Sequence, residues 1–116
     1  MGQGKLATCI KLDDALQMGP APEGNLAIPV LKHGSMEAEL YLPKDRDPQK
    51  PHSRDEIYLV TIGHGEFFDG EKNISIEPGS FIIVPAGVEH RFEKFTDDLT
   101  VWVIFYGPEG GERYQD

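Results

Sequence analysis

Three side chains in this sequence have the chemistry of metal ligands: His52, Glu56 and His90. Two imidazoles and one carboxylate present two nitrogen lone pairs and an anionic oxygen, a set that suits Fe(II), Mn(II), Zn(II) or Ni(II). His52 and Glu56 stand four apart, so on a strand of period two they share a face. A straight strand, at roughly 3.3 Å per residue, would hold them about 13 Å apart. That is too far for one ion, so a bend or bulge within residues 53–55 is required, and His90 must arrive from a different strand. Without that bend, the two histidines are ordinary surface side chains and their spacing has no chemical meaning.

The elements that must place them are short and frequently broken. The chain has 13 glycines and 9 prolines, 22 of its 116 residues and about 19% of them, against roughly 12% in average proteins. Such punctuation favours strands and turns over long helices. Residues 36–42 alternate apolar and polar as a strand with one buried face does. Residues 55–62, 66–68, 73–77, 80–84, 90–95 and 99–106 repeat the pattern, and period two begins at Ile28. Asp69-Gly70, Pro78-Gly79 and Pro85-Ala86-Gly87 supply turn signals between them. About eight short strands follow, which predicts an all-β sandwich or barrel. Residues 1–29 read as irregular, with a helical turn started by Asp13 as N-cap and stopped by Gly19. Residues 107–116 read as a polar tail lying over the surface or fraying. The whole of residues 1–116 is expected to form one domain.

Charge and hydropathy remove several classes of partner. With 11 basic and 20 acidic residues the formal charge is −9, opposed to the phosphate attraction on which nucleic-acid binding rests. The uncharged apolar runs at 81–88 and 100–108 fall far short of the roughly 20 residues of a membrane span. Lys5 without a following apolar run gives no secretory signal, and Leu6 breaks the myristoylation pattern opened by Met1-Gly2. Cys9 is the single cysteine, which suits a reducing compartment. The expectation is a cytoplasmic protein with no nucleic-acid or membrane partner.

Two stretches resemble the motifs of the cupin family. Gly79-Ser80-Phe81-Ile82-Ile83-Val84-Pro85-Ala86-Gly87-Val88-Glu89-His90 is similar to the second cupin motif, G-x5-P-x-G-x2-H-x3-N, with its glycines, proline and histidine at the required offsets. Pro51-His52-Ser53-Arg54-Asp55-Glu56-Ile57-Tyr58-Leu59-Val60-Thr61-Ile62-Gly63 resembles the later part of the first, G-x5-H-x-H-x3-4-E-x6-G. The resemblance implies a small stand-alone cupin of the subgroup whose activity is generally unassigned, folded as a double-stranded β-helix or jelly-roll barrel. It also implies a divalent transition metal on His52, Glu56 and His90, a small-molecule ligand or substrate, and a homodimer.

Departures from the motifs bear on the same site. Lys50 occupies the position of the family's first histidine, and an ammonium has no lone pair to offer. Three protein ligands then remain, with open positions for water or substrate, or else the site is weakened. Gln49 could move in as a fourth, oxygen ligand. Lys44 replaces an opening glycine and Lys94 a closing asparagine. Arg54 and Tyr58 share parity with His52 and Glu56 and so either face the cavity and hold substrate, or lie at the bend and in the core. Asp55, on the opposite parity, is expected at the surface or orienting a histidine. Trp102, Phe105, Phe67, Phe81 and Phe92 are expected to fill the core. Two functions fit: a metal-dependent enzyme on a small polar metabolite, isomerase- or dioxygenase-like, or a non-catalytic small-ligand-binding module with weak or no metal. A dimerisation scaffold is a third.

Overall fold

A computed structural model describes residues 6–113, and over them the period-two segments form eight strands. In chain order the elements are α1 (Leu12–Leu16), β1 (Ala27–His33), β2 (Met36–Tyr41), β3 (Asp55–Ile62), β4 (Gly65–Phe68), β5 (Asn73–Ile76), β6 (Phe81–Val84), β7 (Arg91–Glu93) and β8 (Thr100–Tyr106). Every strand pairing is antiparallel. One sheet has the order β1-β2-β8-β3-β6 and the other β5-β4-β7. The expected all-β jelly-roll arrangement is what the chain adopts.

The two sheets meet through aromatic rings carried on their inner faces. Along β3 the side chains of Glu56, Tyr58 and Val60 are buried while Ile57 and Leu59 between them are half-buried, as alternation demands. The Tyr58 ring stands edge-on to Phe67 of β4 and Phe92 of β7, with centroids 5.9 and 5.0 Å away. Val84, Leu99, Val101 and Val103 close the same core. On the other face of the large sheet, Ala15 of α1 packs with Ile28 and Leu40, flanked by Trp102. The helix therefore covers apolar surface that would otherwise face water.

Several details differ from the sequence reading. The helix begins two residues earlier, with Lys11 as N-cap, because the Asp14 carboxylate accepts the Lys11 N–H at 3.0 Å; Asp13 lies inside the first turn. Strand structure starts at Ala27, inside the segment read as irregular, since β2 offers Tyr41 and Leu40 as partners for Ala27 and Ile28. Phe81 is 63% exposed and does not fill the core. It sits on β6, the edge of its sheet, on the parity that faces outward with Ile83. Strand β7 is shorter than expected, since Lys94 takes φ +49° beyond its end. The tail is docked as far as it is described: the Gly110 and Glu112 N–H groups donate to the Ser53 carbonyl at 2.7 Å and the Asp55 carboxylate at 2.8 Å. Residues 114–116 of the expected tail lie outside the described residues. No described helix is long and apolar enough to cross a membrane.

Gly63 links β3 to β4 with φ +95°, and a Cβ there would lie 2.7 Å from the Leu99 backbone. Strain and clash act together, so Gly63→Ala is expected to destabilise the fold by about 2–4 kcal/mol. Urea unfolding checks this as a lower midpoint at unchanged slope; an unshifted midpoint would show that the turn absorbs the methyl group.

Candidate metal centre

The bend that the spacing requires is present. Ser53 and Arg54 form it, immediately before β3, and it brings His52 Nε2 to 3.6 Å from Glu56 Oε1. Two contacts hold the bend in place: the Gly87 N–H donates to the His52 carbonyl at 2.8 Å, and Gly110 does the same to Ser53. Asp55 fixes the start of β3, its two oxygens accepting the N–H groups of Ala86 and Glu112 at 2.9 and 2.8 Å. A single buried carboxylate thus ties together the ligand loop, the turn after β6 and the C-terminal segment.

His90 reaches the same point from the residue before β7. Its Nδ1–H donates to the Val88 carbonyl at 2.9 Å, which leaves Nε2 turned toward Glu56 Oε1 at 2.9 Å. Glu56 is fully buried, and neither of its oxygens has a hydrogen-bond donor among the described residues. The His90 approach is close but lacks hydrogen-bond geometry. One donor atom from each of His52, Glu56 and His90 lies within 4.8 Å of the other two. A metal with bonds near 2.1 Å sets right-angle neighbours about 3.0 Å apart, so the separations of 2.9 and 3.6 Å fit one ion. The glutamate is sealed and the His52 side chain is 32% exposed, which leaves the cluster open to solvent on the His52 side.

Residues 39–106 match the cupin domain family. The chain is a cupin. A protein of Streptomyces coelicolor described as uncharacterized is 35% identical over 98 residues, spanning 83% of this chain and 93% of that one. Acireductone dioxygenase of Rhodopseudomonas palustris (strain TIE-1) is 44% identical over 45 residues, 35% of this cupin and 27% of the dioxygenase, so the match covers about a quarter of that enzyme. Among solved structures, a cupin-2 domain protein of Shewanella frigidimarina superposes with a TM-score of 0.68 at 17% identity, covering 84% of this chain and 94% of that one.

Around the triad this cupin places the remaining candidates unevenly. Gln49 and Tyr58 join it: the Tyr58 hydroxyl donates to Gln49 Oε1 at 2.7 Å and lies 3.1 Å from His90 Nε2. Burial first, and then the Glu56 charge, push the Tyr58 phenol well above its usual range, which keeps it an O–H donor. Arg54 does not face the cavity. The bend turns it outward, where it donates to the Gly107 carbonyl and Glu37 at 3.0 Å each and to the Ser35 carbonyl. Lys50 is exposed. Phe105 sets its ring edge-on to His52, centroids 5.2 Å apart. Asp47 escaped the sequence reading, since nothing local sets it apart from Asp45 in the same loop. It is 7% exposed and accepts from Tyr41, Gln49 and the Phe92 N–H.

Without metal, His90 titrates against its surroundings. Burial, the largest influence, pulls its pKa down, but Glu56 and the Val88 carbonyl outweigh it and the net shift is upward from 6.5. A raised folded-state value stabilises the fold fully below pH 6.5, and that contribution is lost as pH rises through the shifted pKa. Urea unfolding of chelator-treated protein should therefore show stability falling as pH rises above about 6.5, and His90→Gln should flatten that dependence. A wild-type profile identical to that of the variant would assign the slope to other groups.

Proposed function

We propose that this cupin is a metal-dependent enzyme acting on a small, oxygen-bearing metabolite, with one divalent transition metal held by His52, Glu56 and His90. The observation that carries the reading is the buried Glu56 carboxylate, which no donor among the described residues satisfies and which faces the imidazoles of His52 and His90. Burying such an anion unpaired costs several kcal/mol, and a cation at that point removes the cost. When bound, the ion supplies Lewis-acid polarisation of a substrate oxygen.

The chain's own residues suit such a reaction. The Val88 carbonyl accepts the His90 Nδ1–H, which makes Nε2 the nitrogen that would bind a metal, as metal-bound histidines need. Beside His90 lies a cavity of about 440 Å³ walled by Phe67, Ile76, Ile82, Val84 and Val88. Its size admits a small metabolite, and its walls would take the less polar part of one. Tyr58 keeps its proton next to the ligand cluster, donating it to Gln49 Oε1. The partial likeness to acireductone dioxygenase supports an oxygenated substrate, and the choice between isomerase- and dioxygenase-like chemistry rests with assay. A second reading, a binding module without metal, draws on one contact: Gln49 Oε1 lies 2.9 Å from His52 Nε2, as it would if that nitrogen carried a proton.

The two readings part on metal content. Elemental analysis of protein expressed in metal-supplemented medium should find near one equivalent of a transition metal in the wild type, with Glu56→Gln and His90→Ala losing nearly all of it. Folded wild type and variants that are equally metal-free would leave the binding-module reading standing.

A further inference from the structure

We infer that Gln49 supplies a fourth donor atom, its side-chain Oε1, to the metal held by His52, Glu56 and His90, with Asp47 as the positioning residue that aims it. This rests on the metal-centre reading proposed above. An amide offers a ligand bond through its oxygen and not through its nitrogen, so the direction in which it is turned decides whether Gln49 can take part. Asp47 settles that direction. Its Oδ2 accepts the Gln49 Nε2–H at 2.8 Å and its Oδ1 the Gln49 backbone N–H at 3.2 Å. Reversing the amide would set an oxygen against the Asp47 carboxylate and an NH2 group against the Tyr58 hydroxyl, which now donates to Oε1.

Asp47 is itself immobilised, since the Tyr41 hydroxyl donates to Oδ1 and the Phe92 N–H to Oδ2 at 2.8 Å. The amide oxygen therefore sits at a fixed point at the edge of the ligand cluster. Its 2.9 Å separation from His52 Nε2 equals that between His90 Nε2 and Glu56 Oε1, and both match the roughly 3.0 Å between adjacent ligands on one ion. Lys50, at the position of the family's usual first histidine, is exposed and leaves that side of the cluster to its neighbour. The resulting donor set has two nitrogens and two oxygens, and the added neutral oxygen favours Mn(II) or Fe(II) with further open positions.

The rival arrangement has His52 donating its Nε2–H to Gln49, and it predicts the opposite sign. There Gln49 competes with the metal for His52, so removing the amide strengthens metal binding. The probe is Mn(II) added to metal-stripped protein, read by EPR titration for affinity and by line broadening in 17O-enriched water for the number of bound waters. Gln49→Met is expected to weaken Mn(II) binding by at least about 10-fold and to add one bound water. Asp47→Asn should weaken it in the wild-type background but change it less than about 2-fold in the Gln49→Met background, because its influence runs through the amide.

Equal or tighter binding by folded Gln49→Met, or an unchanged water count, overturns the inference and leaves the three-ligand centre intact. An Asp47→Asn effect of the same size in both backgrounds overturns the positioning role. Wild type that takes up no Mn(II), Fe(II) or Zn(II) overturns the metal reading itself. If Gln49→Met does not fold, the wild-type count decides: three bound waters on a six-coordinate ion leave no place for Gln49, and two or fewer are the result expected.

Discussion

An ionised carboxylate in a protein interior is tolerated when donors or a positive charge meet it, and otherwise costs several kcal/mol. This chain buries three acids around one loop and treats them differently. Asp47 accepts from Tyr41, Phe92 and both nitrogens of Gln49, and Asp55 accepts from two backbone N–H groups. Glu56 accepts from none of the described residues. The fold is plainly able to satisfy buried acids within a few residues of Glu56, so the want of donors is local to that position. The arrangement of His52, His90, Gln49 and Tyr58 around it follows from that constraint.

The barrel's contribution is rigidity at the points where ligands leave regular structure. Glu56 is on the central strand of three, with Val84 of β6 opposite it on one flank and Phe105 of β8 on the other. His52 and His90 both lie outside strands and owe their positions to backbone hydrogen bonds from Gly87 and to the Val88 carbonyl. Glycine at position 87 takes φ +83°, a conformation that a side chain would strain. The turn after β6 therefore steadies both imidazoles at once, from opposite ends.

Much of this was legible in the residues. Alternation and turn chemistry located the strands, since both are local properties of the chain. The offsets of Gly79, Pro85, Gly87 and His90 pointed to the site. What alternation could not give was direction at a bend. Arg54 shares parity with His52 and Glu56, yet parity loses its meaning across the turn at residues 53–54, and the guanidinium points to Glu37 and Gly107. Phe81 failed for a related reason: its strand is an edge, and edge position is a property of the whole sheet. Asp47 and Asp55 were unreadable as organisers because the N–H groups they collect come from residues 86, 92 and 112, far along the chain.

The strand order has a kinetic consequence. β3 pairs with β8, matching Asp55 to Tyr106 and Ile62 to Thr100, and closing such distant pairs is slow compared with forming a hairpin. Glu56 cannot be sealed until this pairing is complete, and His90 lies in the stretch of chain that must first be looped out. The ligand cluster is thus complete only once this long-range pairing has formed. An ion taken up by the cluster would then meet a finished barrel, whose approach is the half-exposed His52 side.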